Sequence, residues 1–169
     1  MLRLIGAGVI VACCTLLGIN AGGRSRQRVR ALSGLISSLE IMKSEICSGL
    51  TPLPELIGLL AGQCAPPAAE LYVKCSELMG KRRSFRDAWR RSLAECGELC
   101  LLDEEEQVLL ELGNTLGRYE AEQQRPALEH AQKRLELFLS IEEKEQTEKK
   151  RISAALGAGA GIMLALLLV

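Results

Sequence analysis

The chain has 169 residues, the size of one domain, with 21 basic and 21 acidic side chains and therefore no net charge. Its 48% apolar and 25% charged residues suit an ordinary soluble protein, and the charge balance predicts no polybasic face for nucleic acid. The charges are unevenly placed, however. Every acidic residue lies between Glu40 and Glu148, so both ends of the chain lack negative charge.

The first uncharged segment, residues 4–23, is long enough as a helix to cross the hydrocarbon core of a bilayer, about 30 Å thick. Four arginines follow it directly: Arg24, Arg26, Arg28 and Arg30. Such a cluster resists translocation, so we predict a membrane anchor whose C-terminal side is cytoplasmic. The alternative is a cleavable signal peptide with its cleavage site near residues 20–23.

Helical spacing of apolar residues begins after this anchor. Residues 24–47 carry apolar side chains at intervals of three and four, which predicts an amphipathic helix continuous with the anchor and ended by Gly49. Thr51 and Pro52 predict a second helix, with threonine as its cap and proline in the first helical position. The Ala65-Pro66-Pro67 segment breaks the chain again.

Three further helices are predicted after this break. The first has the apolar stripe of Leu71, Cys75, Leu78 and Met79 and ends at Gly80. Ser84 is a suitable N-cap for the next, in which we interpret Trp89 as a core residue. Asp103 then predicts another cap, followed by three glutamates that favour the positive end of a helix dipole and need no catalytic role.

The last predicted helix begins near Tyr119 or Pro126. It carries a core stripe up to Leu139, and the charged residues 142–151 are interpreted as a solvated stalk with a Glu145–Lys149 pair. The second uncharged segment, residues 152–169, follows a basic triplet and predicts a second anchor in preference to a buried core helix.

Together these elements predict an all-α protein, since no alternating strand pattern occurs in the sequence. Residues 4–23 and 152–169 are expected to be transmembrane helices. Residues 24–151 are expected to form a cytoplasmic bundle of five or six helices, whose first and last helices run into the membrane.

The sequence shows no enzyme motif. It lacks a P-loop, a zinc-protease helix, a nucleophile elbow and dinucleotide glycines, so we predict no catalytic residues and no cofactor. The seven cysteines have no paired C-x-x-C spacing and His130 is the sole histidine, so no metal site is predicted. We interpret the cysteines as small core residues and His130 as a surface residue; Cys96 and Cys100 are the pair most open to another role.

Glycines in the end segments have the spacing of helices that pack closely in lipid. Gly18 and Gly22 form one G-x-x-x-G pair, and Gly157 and Gly161 form another. Three partners fit either glycine pair: the other end segment of the same chain, a second copy of the chain, or a different protein.

Two stretches carry a specific resemblance. The first runs from Leu39-Glu40 through Glu45-Ile46 to residues 49–53, and the second is Leu112-Gly113-x-x-Leu116-Gly117 followed by Glu120 and Gln124. With the apolar ends, they resemble the stage III sporulation protein AB family of endospore-forming bacteria over essentially the whole chain. That family usually has aspartate at the position of Glu120.

The resemblance implies a fold similar to the cytoplasmic bundle of type II secretion F proteins, which form inner-membrane platforms and commonly carry two such bundles. It implies a non-enzymatic platform in a channel or secretion-like complex, in the mother-cell membrane around the forespore. The implied partners are other membrane proteins of that complex, a separately encoded cytoplasmic ATPase, the lipid bilayer and a second copy of the chain, with no nucleic acid. A membrane-tethered regulatory adaptor with one cytoplasmic partner is the alternative.

The residues expected to contact partners are Leu112, Gly113, Leu116 and Gly117, because the two glycines permit tight turns or close helix approach. A helix C-cap followed by a loop is the alternative for this segment. Gly157 and Gly161 are the candidates within the second apolar end.

Overall fold

The structure is a computed structural model. It describes the backbone of residues 2–48, 51–81, 83–116 and 121–168. Side chains are described for residues 23–46, 51–81, 83–116 and 124–149 and for Ile152.

The described chain is all-helical, and no strand occurs within it, which confirms the predicted fold class. A short 3-10 helix, Gly97–Leu99, separates the fourth and fifth of six α-helices. The α-helices are α1 (Leu2–Ser48), α2 (Leu53–Gln63), α3 (Ala68–Gly80), α4 (Phe85–Glu95), α5 (Asp103–Thr115) and α6 (Ala121–Leu168).

The two long helices, α1 and α6, pack against each other more extensively than any other pair. The shorter helices complete the bundle in chain order, because α2 packs on α3, α3 on α4, α4 on α5, and α5 on α6. Short connections of this kind favour neighbouring helices that run up and down. The core side of α1 is formed by Leu32, Leu35, Leu39 and Met42, which are all fully buried.

The largest core side chains, Tyr72 and Trp89, lie 5.9 Å apart between ring centroids. Trp89 is 1% exposed, which confirms it as a core residue. The Tyr72 hydroxyl forms a buried hydrogen bond with Ser38 of α1. Four residues earlier, Gly34 lets α3 approach α1 closely, because a Cβ there would lie 2.8 Å from the Cβ of Ala68. These contacts hold α3 between α1 and α4.

Several predicted helix boundaries are confirmed. α3 begins after the Pro66–Pro67 pair and ends at Gly80, as predicted. Ser84 caps α4, because its hydroxyl oxygen accepts the Asp87 N–H at 3.2 Å. The described part of α6 begins at Ala121 and contains Pro126 within it, and Tyr119 and Gly49 lie outside the described residues.

Two predicted caps are wrong. Thr51 does not cap α2, because its hydroxyl donates to the Glu45 carboxylate at 2.6 Å and Pro52 occupies the cap position. Asp103 is the first residue of α5 and not its cap. The cap position belongs to Leu102, whose N–H is accepted by the Glu105 carboxylate at 2.9 Å. The side chain of Glu105, the third residue of the helix, therefore satisfies a backbone N–H at the helix start, in place of the cap predicted at Asp103.

Within the described residues, no helical stretch is both long and apolar enough to cross a membrane. The predicted spans at residues 4–23 and 152–169 lie almost entirely outside the part of the chain whose side chains are described. The backbone of residues 4–23 and 152–168 is helical, as parts of α1 and α6.

Candidate functional site

A buried polar junction joins the three helices α1, α5 and α6. Arg28 of α1 lies at its centre and contacts two carboxylates. Its Nη2 donates to Glu105 Oε1 of α5 at 2.6 Å, and its Nη1 donates to Glu142 Oε2 of α6 at 2.6 Å. The Arg28 Nε also lies 3.2 Å from both oxygens of Glu105. We call Arg28, Glu105, Glu142 and Ser25 the polar junction.

The junction is enclosed, since the side chains of Glu105, Glu142 and Arg28 are 0%, 7% and 16% exposed. Each carboxylate has a second donor. Glu142 accepts from the Ser25 hydroxyl, and Glu105 accepts from the N–H of Leu102 at the start of α5, where the helix dipole also favours negative charge. Charge-assisted hydrogen bonds of this kind are the strong ones in proteins.

The electrostatics keep the central arginine charged. Burial alone would lower the pKa of the Arg28 guanidinium. The hydrogen bond and the charge of Glu105, supported by Glu142 and Glu145, outweigh burial and raise that pKa above its ordinary value. Arg28 therefore remains a cation throughout the physiological pH range.

This junction was not predicted from the sequence. Residues 142–151 were interpreted as a solvated stalk, but Glu142 is buried and ion-paired with α1, so that interpretation is wrong at this position. The next residues do agree with a solvated stalk. Glu143, Lys144 and Glu145 are exposed, and Glu145 pairs with Lys149 at 3.0 Å. Glu142 does follow the buried stripe of α6 at helical spacing, and this periodicity is the signal that could have identified it.

The junction is suited to holding helices and not to covalent chemistry. Its groups are an arginine, two carboxylates and a hydroxyl, and each is hydrogen-bonded to at least one other member of the junction. Within the described residues, no three His, Cys, Asp or Glu side chains lie close enough together to hold a metal ion. The junction fixes α1 against α6 shortly before both helices continue into the uncharged ends.

The predicted contact segment lies at the other end of α5 and is largely buried. Leu112 and Leu116 are each 2% exposed and point into the bundle. Gly113 lies under the Trp89 indole, where an added Cβ would come within 2.2 Å of Trp89 Cδ1. The indole N–H donates to the carbonyl of Leu109 at 2.7 Å. Gly113 therefore serves the packing of α4 on α5.

Gly117 and the surroundings of Gly157 and Gly161 lie outside the described residues. The contact role of the segment from Leu112 to Gly117 stays a prediction.

Comparison with known proteins identifies the family. The family model described as stage III sporulation protein AB matches residues 3–169. The chain belongs to the stage III sporulation protein AB family. Stage III sporulation protein AB of Bacillus subtilis (strain 168) is 32% identical over 171 residues, which cover the whole of both chains. Membership of the family implies a role in sporulation.

A solved structure of a stage III sporulation protein AB has a fold similar to this one. It superposes with a TM-score of 0.66 at 28% sequence identity and covers 72% of this chain and 98% of the solved chain. The stage III sporulation protein AB fold is thus a helical bundle in both proteins.

The four described cysteines of this stage III sporulation protein AB family member are all free thiols. Cys75 and Cys96 are buried, as predicted, whereas Cys64 and Cys100 are half-buried. Burial raises the pKa of the Cys75 thiol to about 11. Cys75 is therefore a poor nucleophile in the folded protein. The Cys100 thiol is more accessible to solvent than that of Cys75. His130 is exposed, as predicted.

Proposed function

We propose that this chain is a membrane-anchored platform component of a channel or secretion-like complex between mother cell and forespore. Its two uncharged ends, residues 4–23 and 152–169, anchor it in the mother-cell membrane around the forespore. Its bundle, residues 24–151, lies in the cytoplasm, because both basic flanks lie on the bundle side of the anchors.

The observation that carries this proposal is the continuity of the two end helices. α1 and α6 each form part of the bundle core and then continue as helix through an uncharged end. The polar junction ties them together at Arg28 and Glu142, just inside those ends. Such an arrangement transmits a displacement of the bundle to both ends as one unit, which is what a platform between a cytoplasmic motor and membrane partners requires.

The chain supplies the platform, and separate proteins supply the remaining functions. A separately encoded cytoplasmic ATPase provides energy, and other membrane proteins of the same complex contact the anchors. Secretion platforms of the type II F kind commonly carry two bundles, so a second copy of this chain provides the second one. Gly157 and Gly161 offer the close helix approach that such pairing in lipid requires.

Deleting either anchor tests the proposal. In a strain without its own copy of the gene, the full chain should restore heat-resistant spores. Chains lacking residues 4–23 or 152–169 should fail, because a platform held at one end cannot keep both helices in the membrane. The measurement is the count of heat-resistant spores.

Replacement of each anchor by a polyleucine segment of equal length is the matched control. Restored spore counts mean that the segment serves only as an anchor, and low counts mean that its glycine face also pairs with a partner. Normal sporulation with both anchors deleted would contradict the platform function, and it would favour the regulatory adaptor.

A further inference from the structure

Three arginines on one side of α4 and in the turn before it have no carboxylate partner among the described residues. They are Arg83, Arg86 and Arg90, and all three are exposed. No carboxylate of a described residue lies within ion-pair distance of any of them. We call these residues the arginine strip.

The carboxylates nearest in the fold are engaged elsewhere. Asp87 of α4 accepts from the Ser84 hydroxyl at 2.7 Å. Glu111 of α5 pairs with Arg134 of α6 at 3.3 Å. Arg91, the immediate neighbour of Arg90, is paired with Glu95 at 3.0 Å. The strip is therefore a positive surface that forms no ion pair with any described carboxylate, on a chain whose net charge is zero.

The strip borders an open groove between α4 and α5, with a volume of about 390 Å³. Arg86 and Arg90 form one wall, and the polar side chains of Gln107, Glu111 and Asn114 form the other. Between the walls lie Leu110 and, largely buried below it, Trp89 packed on Gly113. An apolar floor with a polar rim is the usual composition of a protein-binding surface.

The position of the groove in the bundle favours a protein partner over a membrane. The start of α5 lies at the polar junction, since Glu105 contacts Arg28, and the Gln27 side chain donates to the carbonyl of Glu98 at 2.8 Å. The end of α4 and the start of α5 thus face the uncharged ends. The start of α4, with Arg83 and Arg86, lies toward the opposite end of the bundle. A lipid surface that holds the anchors lies away from the strip.

We propose that the arginine strip and this groove form a docking site for an acidic segment of a partner protein. This proposal rests on the platform function and names the chemistry of one partner. Arg86 and Arg90 are one helical turn apart, about 6 Å along the axis of α4. The fitting segment presents two carboxylates at that spacing, as glutamates at i and i+4 of a helix do, and an apolar side chain over Leu110.

A binding titration with a designed peptide tests the docking site. The full chain in detergent micelles is titrated with a helical peptide that carries two glutamates at i and i+4 beside a leucine. The control peptide has glutamine at both positions. Binding is followed by calorimetry and by the emission of Trp89, the single tryptophan of the chain. The acidic peptide should bind more tightly than its glutamine control, and added salt should weaken that binding.

Neighbouring residues of α4 provide the matched variants. Arg90→Gln should weaken binding about five-fold, and combining it with Arg86→Gln should weaken it more than about ten-fold. Arg91→Gln removes the same charge from the same helix, but its side chain does not line the groove, so affinity should stay unchanged.

Equal losses from Arg90→Gln and Arg91→Gln would overturn the proposal, because they would indicate a nonspecific charge effect. Equal binding of the two peptides would also overturn it. Binding of anionic lipid vesicles that depends on Arg86 and Arg90, in place of the peptide, would assign the strip to a membrane. None of these outcomes alters the anchor-deletion spore counts, so failure of the docking site is distinguishable from failure of the platform function.

Discussion

Replacing Gly113 with alanine should lower the free energy of unfolding by about 2 kcal/mol. The new Cβ would lie 2.2 Å from Trp89 Cδ1, so the indole must move away from α5. That movement also strains the hydrogen bond from the indole N–H to the Leu109 carbonyl. Because alanine is the better helix former by about 1 kcal/mol, a loss of stability here can arise only from the close packing.

Gly58→Ala is the matched control for this substitution. Gly58 also lies within a helix, α2, but an added Cβ there meets no atom within 4 Å. Its replacement should leave stability unchanged or raise it by up to about 1 kcal/mol. Both variants are compared by chemical unfolding of the full chain, followed by Trp89 emission. A Gly113→Ala protein as stable as the Gly58→Ala protein would contradict the packing described for α4 and α5.

Replacing Arg28 with methionine should destabilise the bundle by about 3 kcal/mol. The substitution leaves the carboxylates of Glu105 and Glu142 buried without their shared cation. An unpaired buried charge costs far more than the loss of an exposed ion pair. Arg26→Met is the control, because Arg26 is exposed and lies on the same helix, and its effect should be within about 0.5 kcal/mol.

A variant of the polar junction without charged side chains distinguishes the cost of burying unpaired charge from the cost of altered packing. Combining Arg28→Met with Glu105→Gln and Glu142→Gln removes the unpaired charges and should recover part of the lost stability. The measurement is again the unfolding free energy of the full chain. If the triple variant were less stable than Arg28→Met alone, or if Arg28→Met were as mild as Arg26→Met, the junction would not hold the bundle together.

Most of the fold could be predicted from local patterns in the sequence. The apolar stripe of α1, the Pro66–Pro67 break and the Ser84 cap each depend on neighbouring residues only, and each is found where it was predicted. Thr51 shows the limit of that reasoning, because its hydroxyl bonds to Glu45 of the preceding helix and not to α2. The helix begins one residue later than predicted, so that Pro52 and not Thr51 occupies the cap position.

The polar junction could not be predicted in the same way. Arg28 was one of four arginines in a basic cluster, and Glu142 was one of several charges in an apparent stalk. Helical spacing places Glu142 on the buried side of α6, but only the packing of α1 on α6 and the Arg28–Glu105 ion pair with α5 determine which charges meet. The role of Gly113 likewise depends on Trp89, which lies on a different helix.

Labelling of Cys100 in protoplasts tests most directly the claim that the bundle is cytoplasmic and membrane-anchored. Protoplasts expressing the chain are treated with a membrane-impermeant maleimide, intact or permeabilised, and carbonate-washed membranes are analysed by mass spectrometry. We expect the chain to remain in the washed membranes and half-buried Cys100 to be labelled only after permeabilisation. Buried Cys75, with its raised thiol pKa, should stay unlabelled in both samples and so reports that the bundle is folded. Release of the chain by carbonate, or labelling of Cys100 in intact protoplasts, would contradict the account.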